Sequence, residues 1–123
     1  MTTAPHRVLV IDDEAALRSL LTDMLSAFGY EVDAAPDGAA GVARFCEQRY
    51  EAVITDLLMP GMNGFQVAAE IRAVDPDVQV ILLTGSAPAL TNARASEAGV
   101  TLLHKPIALA DLKAAVDAAC AAT

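Results

Sequence analysis

Two hydrophobic rhythms alternate along the chain. Arg7-Val8-Leu9-Val10-Ile11 is a nearly continuous apolar, β-branched run, the pattern of a strand buried on both faces. From Glu14 the spacing changes. Leu17, Leu20, Leu21, Met24, Leu25 and Phe28 recur at helical intervals along one stripe, and Gly29 ends it. The two rhythms then repeat. Tyr30 to Ala35 predicts a strand and Asp37 to Arg49 a helix, with Asp37 near its N-cap. Glu51 to Asp56 predicts a strand, Leu57 to Met62 a loop, and Asn63 to Val74 a helix stopped before Pro76. Val78 to Thr84 is the most hydrophobic strand. Ala89 to Ala98 is a weaker helix, opened by Pro88, closed by Gly99 and with few strong core anchors besides Leu90. Val100 to His104 predicts the last strand and Leu109 to Ala122 the last helix.

Five strand–helix units without repeats or linkers predict an α/β fold. It is a doubly wound parallel sheet of five strands with five helices on both faces, because parallel neighbours need crossover connections. At 123 residues the chain is expected to be a single domain, 1–123, with a short N-terminal tail, 1–6. A content of 54% hydrophobic and 20% charged residues forms a core and excludes disorder. Apolar runs such as Val80-Ile81-Leu82-Leu83 are far shorter than the roughly 20 residues of a membrane span. Met1 to Arg7 has no apolar segment of the kind a secretory signal carries. No membrane association and a cytoplasmic location are therefore expected. Cys46 and Cys120 belong to no Cys or His cluster and read as small buried apolar side chains in a reducing compartment. A formal net charge of −8 argues against nucleic-acid binding by this domain.

In an open parallel sheet, ligands bind beyond the carboxyl ends of the strands. The residues there are Asp12-Asp13-Glu14 after the first strand, Asp56 at the end of the third, Thr84 at the end of the fourth and Lys105-Pro106 after the fifth. Taken singly, each has an ordinary reading as a helix cap, a strand-end hydroxyl or a solvated charge. Asp56 is the exception: it follows Val53 and Ile54, precedes Leu57-Leu58-Met59, and needs a partner for its charge. Together, Asp12, Asp13 and Asp56 would repel one another at one sheet edge, and a hard divalent cation such as Mg²⁺ resolves that. Thr84 can donate a hydrogen bond and Lys105 can neutralise an anion's oxygens. A carboxylate nucleophile, a metal, a hydroxyl and an ammonium are the requirements of phosphoryl transfer, with Asp56 as the nucleophile.

These residues, in this order, resemble a known family. Val-Leu-Val-Ile-Asp12-Asp13-Glu14, Ile-Thr-Asp56-Leu-Leu-Met-Pro60-Gly61-Met-Asn-Gly64, Leu-Leu-Thr84-Gly85 and Lys105-Pro106 look like the response-regulator receiver domain of two-component signalling, across Arg7 to about Ala119. The resemblance implies a flavodoxin-like sheet of strand order 2-1-3-4-5. It implies that Asp56 accepts a phosphoryl group from a sensor histidine kinase or histidine phosphotransfer protein, and that the change alters binding to a downstream protein target. Asp13 and Asp56 would hold Mg²⁺ directly, Asp12 mainly through water, and the Leu58 backbone carbonyl would add a ligand. Thr84 would move to bind the phosphoryl group and Lys105 would pair with it. The Lys105-Pro106 bond would be cis, and Gly85 would leave the phosphoryl oxygens reachable. Such a domain is not an enzyme in the ordinary sense, since it catalyses only its own phosphorylation and dephosphorylation.

The chain departs from that family in places. Leu102 stands where many receivers carry a Tyr or Phe that swings with the threonine, so signal would have to leave through the Thr84 loop and the following helix. Ile107 replaces a common Phe and reads as a packing variant. Leu58 and Ser86 occupy the positions that line the approach of hydrolytic water, and Leu58 cannot orient water, which implies slow self-dephosphorylation. His6 and His104 read as a solvated tail residue and a strand-end residue, and Met59 and Met62 as packing residues. The small residues Ala15-Ala16 offer a docking patch for a phosphodonor. Three rival readings are weaker. A flavin mononucleotide carrier would need a phosphate cradle where Asp12-Asp13-Glu14 stands. A metal-dependent aspartyl phosphatase would carry its nucleophile after the first strand. A receiver-shaped interaction domain that is never phosphorylated would not need the full polar set. A free-standing regulator is expected over the N-terminal piece of a longer one.

Overall fold

The structure, a computed structural model, describes residues 6–85 and 89–121, without the side chains of residues 89–92. Its strands are β1 (Arg7–Ile11), β2 (Glu31–Ala35), β3 (Ala52–Asp56), β4 (Gln79–Thr84) and β5 (Thr101–His104). Its helices are α1 (Ala15–Ala27), α2 (Gly38–Glu47), α3 (Gly64–Val74), α4 (Ala89–Ala98) and α5 (Leu109–Ala121). The strands form one sheet in the order β2-β1-β3-β4-β5, every neighbouring pair parallel, as expected. β1 lies between β2 and β3, so the chain reverses its direction of travel across the sheet at β1, and the switch point falls at β1's carboxyl end.

Alternation along each central strand divides the core in two. Leu9, Ile11, Val53, Val80 and Leu82 face α2 and α3, where they meet Phe45, Val67, Ala68 and Ile71. Val8, Val10, Ala52, Ile54, Ile81 and Leu83 face α1 and α5, where they meet Leu21, Leu25, Leu112 and Val116. Both faces of the central strands are therefore covered, which explains why they read as unbroken apolar runs. On the first face α2 comes so close that a Cβ at Gly41 would lie 2.3 Å from Ile11 Cδ1. Among the described residues, no helix is long and apolar enough to cross a membrane.

Helix ends follow local chemistry. The Asp37 side chain accepts from the Ala40 N–H, and Asn63 forms a capping box with Gln66 at the start of α3. Gly29, with φ +94°, turns the chain after α1. α4 and the turn after it are held by arginines. Arg72 Nη2 donates to the Gly99 carbonyl (2.7 Å), Arg72 Nη1 donates to the Ala98 carbonyl, and the Arg94 guanidinium lies 4.4 Å from the centre of the Phe65 ring.

Several details differ from the sequence expectations. Leu20 is exposed although it falls on the apolar stripe, because the Leu21–Leu25 edge of that stripe faces the sheet. α2 ends at Glu47, two residues early, and Cys46 is exposed on its last turn. The expectation of a buried Cys46 is thus corrected, since Phe45 takes the inward position beside it. Cys120 is buried as expected, and burial pushes its thiol up to about 11. His6 is exposed as expected but also approaches Glu51 (3.8 Å). Residues 1–5 of the expected tail and the Leu90 side chain lie outside the described residues.

Asp33 is an anchor that the periodicity did not reveal. Its Oδ2 accepts from the Tyr50 hydroxyl (2.6 Å) and Arg7 Nη1 (3.4 Å), and its Oδ1 lies 3.2 Å from Arg44 Nη2. These contacts tie β1, β2, α2 and the approach to β3 together. The Tyr50 hydrogen bond, helped by Arg44 and Arg7 and opposed by burial, holds the Asp33 carboxyl below its usual 3.8. A depressed carboxyl stabilises the fold above its unfolded pKa and stops doing so as pH falls through the folded one. Asp33→Asn is therefore expected to cost about 1 kcal/mol at pH 7. In melting curves the gap from wild type should close as pH falls below about 4.

Candidate functional site at the carboxyl ends of β1, β3, β4 and β5

Parallel pairing alone brings the polar strand ends together. The Leu57 N–H donates to the Leu83 carbonyl (2.9 Å), and the Lys105 N–H donates to the Thr84 carbonyl (2.7 Å), so the exits from β3, β4 and β5 are locked side by side. Asp12 and Asp13 follow β1, Asp56 and Thr84 are the last residues of β3 and β4, and Lys105 follows β5. Asp12 is 0% exposed, Asp56 8% and Thr84 3%, whereas Asp13 stands at the surface.

One carboxylate oxygen from each of Asp12, Asp13 and Asp56 lies within 4.8 Å of the others. Lys105 Nζ is 3.1 Å from Asp56 Oδ1, so Lys105 is paired, not a solvated surface charge. Three carboxylates against one ammonium leave two negative charges uncompensated in a partly dry rim. Asp12 registers this. Burial raises its pKa first, with Asp56 and Asp13 adding repulsion, against the Glu14 amide hydrogen bond and the Lys105 charge. Asp12 Oδ1 accepts from the Glu14 N–H (2.8 Å), while Oδ2 is buried without a hydrogen-bond partner among the described residues.

A buried anionic oxygen without a partner carries a large desolvation cost. A hard divalent cation fits this donor set, because Mg²⁺ favours a few carboxylate oxygens with the remaining positions filled by water or phosphate. The Leu58 carbonyl belongs to the same loop, while the Leu58 side chain is 76% exposed. Lys105-Pro106 is cis, as expected. Leu102 is half-buried and packs on the α2–α3 side of the core, Leu103 and Ile107 pack on the opposite side, and Met59 and Met62 pack against the first. Ala15 and Ala16 are exposed beside the rim, and so is His104 at its strand end. Ser86 lies outside the described residues.

Sequence reasoning missed two residues here. A Cβ at Gly64 would lie 2.9 Å from the Asp56 carbonyl oxygen, so only glycine lets α3 begin this close to Asp56. Its position eight residues after Asp56 gave a recognisable signal, but not the reason. Arg18, on α1, donates from Nη1 to the Asp12 carbonyl (2.7 Å). Periodicity gives no sign of this, because Arg18 reads as an ordinary polar position of an amphipathic helix.

A family model for the response regulator receiver domain matches residues 8–117. The response regulator MprA of Mycobacterium sp. (strain KMS) is 34% identical over 111 residues, covering 89% of this chain and 48% of that protein. The chain spans about half the length of the curated relatives it matches. Among solved structures, a response regulator receiver domain protein from Clostridium thermocellum superposes with a TM-score of 0.89 at 32% identity, covering 94% of each chain. The response regulator TrrA of Thermotoga maritima, solved in complex with Mg²⁺-BeF, superposes with a TM-score of 0.83 at 36% identity, covering 93% of this chain and 98% of that one.

The crowded rim makes a direct thermal prediction. Mg²⁺ at ten times its Kd is expected to stabilise the fold by about 1.4 kcal/mol, roughly 5 °C in Tm. Asp13→Asn, which removes an exposed carboxylate from the cluster, should abolish most of that rise without lowering the metal-free Tm. A thermal shift series in Mg²⁺ with both proteins checks it.

Proposed function

The chain belongs to the response regulator receiver domain family of two-component signalling, and on that premise we propose that it accepts a phosphoryl group on Asp56. The observation that carries this reading is the Asp12, Asp13 and Asp56 cluster with Lys105 set against Asp56. The donor is a phosphohistidine on a sensor histidine kinase or a histidine phosphotransfer protein. One Asp56 oxygen attacks phosphorus, the P–O bond forms as the P–N bond breaks, and the imidazole leaves with its electron pair and takes up a proton. A bound Mg²⁺, held by Asp13, Asp56 and the Leu58 carbonyl with Asp12 acting through water, would neutralise charge on the phosphoryl oxygens.

The side chains of the chain do the rest. Lys105 trades its contact with Asp56 Oδ1 for one with a phosphoryl oxygen, which leaves Asp56 free to act as nucleophile. Thr84, buried at the end of β4, turns its hydroxyl to donate to another. The TrrA structure supports this reading, because beryllium fluoride resembles a phosphoryl group in shape and charge. With Leu102 in place of an aromatic ring, the Thr84 displacement passes to α4 without a swinging aromatic partner. The domain turns over only its own phosphoryl group, works in the cytoplasm, and signals by changed affinity for a downstream protein.

Incubation with Mg²⁺ and acetyl phosphate should add one phosphoryl mass to the intact wild-type protein and none to Asp56→Asn. Addition to Asp56→Asn would move the nucleophile elsewhere. The phosphorylated state should also be long-lived, because the exposed Leu58 side chain has no polar atom to orient a water. Leu58→Asn is expected to shorten the half-life several-fold, measured by the decay of the phosphorylated mass after donor removal.

A further inference from the structure

The loop that carries Asp12 and Asp13 is held at three points. The Asp12 N–H donates to the Ala35 carbonyl (3.2 Å), Asp12 Oδ1 accepts from the Glu14 N–H (2.8 Å), and the Asp12 carbonyl accepts from Arg18 Nη1 (2.7 Å). That carbonyl belongs to the peptide joining Asp12 to Asp13. A peptide is planar, so a bond to its oxygen, with the Asp12 N–H also held, restrains the directions in which both residues leave it. Arg18 is itself placed by the first turn of α1, where its N–H donates to the Glu14 carbonyl (2.9 Å). Among the described residues no carboxylate lies within ion-pair distance of Arg18, although Asp12, Asp13 and Glu14 are close in the chain. Its guanidinium is bonded to a backbone carbonyl and makes no direct ion pair with the acids among the described residues.

We propose that Arg18 is a positioning residue for the cation site: by holding the Asp12–Asp13 peptide it keeps the two carboxylates in register with Asp56. This rests on the Mg²⁺ reading above. Nothing passes through Arg18 to the phosphoryl group, and its effect is on the geometry of the acids alone. The sign of the effect separates this role from a purely electrostatic one. Removing a positive charge near a cation site should tighten cation binding by Coulomb's law. Removing a support of the ligating loop should weaken it, as losses of supporting hydrogen bonds around metal ligands generally do.

The test is Mg²⁺ affinity, measured by thermal shift and isothermal titration on the full chain. Arg18→Met is expected to weaken Mg²⁺ binding about three- to tenfold, with the far-UV spectrum and metal-free Tm close to wild type. Arg18→Lys, which keeps the charge and can donate to the same carbonyl, should recover binding to within about twofold. If Arg18→Met fails to fold, Arg18→Gln, whose amide is too short for the contact, is measured in its place. Unchanged or tighter Mg²⁺ binding in the neutral variant would overturn the proposal. So would Arg18→Lys binding as weakly as Arg18→Met. A wild-type protein that does not respond to Mg²⁺ would instead overturn the parent reading, and this inference with it.

Discussion

Like-charge crowding at the end of β1 and β3 is the constraint that the rest of the rim answers to. Two buried aspartates and one exposed aspartate share a space in which their oxygens come within 4.8 Å. Water cannot fully screen them there, and one ammonium cannot balance them. Lys105 reaches Asp56, the Glu14 amide takes one oxygen of Asp12, and the second oxygen of Asp12 has no hydrogen-bond partner among the described residues. The fold therefore keeps unbalanced negative charge at one edge, a donor set of the kind that suits a hard divalent cation.

Delivery of the acids depends on parts of the chain that carry no charge. The parallel sheet puts every strand exit on one side, and the ladder carries its hydrogen bonds one residue past the strands, to Leu57 and Lys105. Gly64 lets α3 start against the Asp56 backbone, and the Asn63–Gln66 capping box fixes where that start falls. The two core layers below are apolar and continuous, so the rim rests on a rigid base while its own residues remain polar.

Much of this was legible in the sequence because two signals agreed. Continuous β-branched runs marked β1, β3 and β4, whose burial on both faces is what such runs require, and each ended in, or was followed at once by, Asp or Thr. The family resemblance then supplied roles for Asp12, Asp13, Asp56, Thr84 and Lys105. What escaped were contacts between elements. Leu20 matched the stripe but missed the core, because a stripe does not say which of its edges faces the sheet. Cys46 was expected inside by composition, yet the neighbouring Phe45 occupies the inward position. Asp33 and Arg18 carried no signal in the sequence, since their partners lie on other elements or on backbone carbonyls that no spacing rule records.

The closeness of α2 to β1 links two distant parts of the molecule. Gly41 lies against Ile11, which is wholly buried and directly precedes Asp12. A methyl group at position 41 has no empty space to enter, so it would push on the residue that leads into the acid loop. Volume on α2 is in this way felt at the residue that precedes the acid loop. Positions 11 and 41 therefore form one steric unit, in which volume added at position 41 has to be met by a shift of the Ile11 side chain.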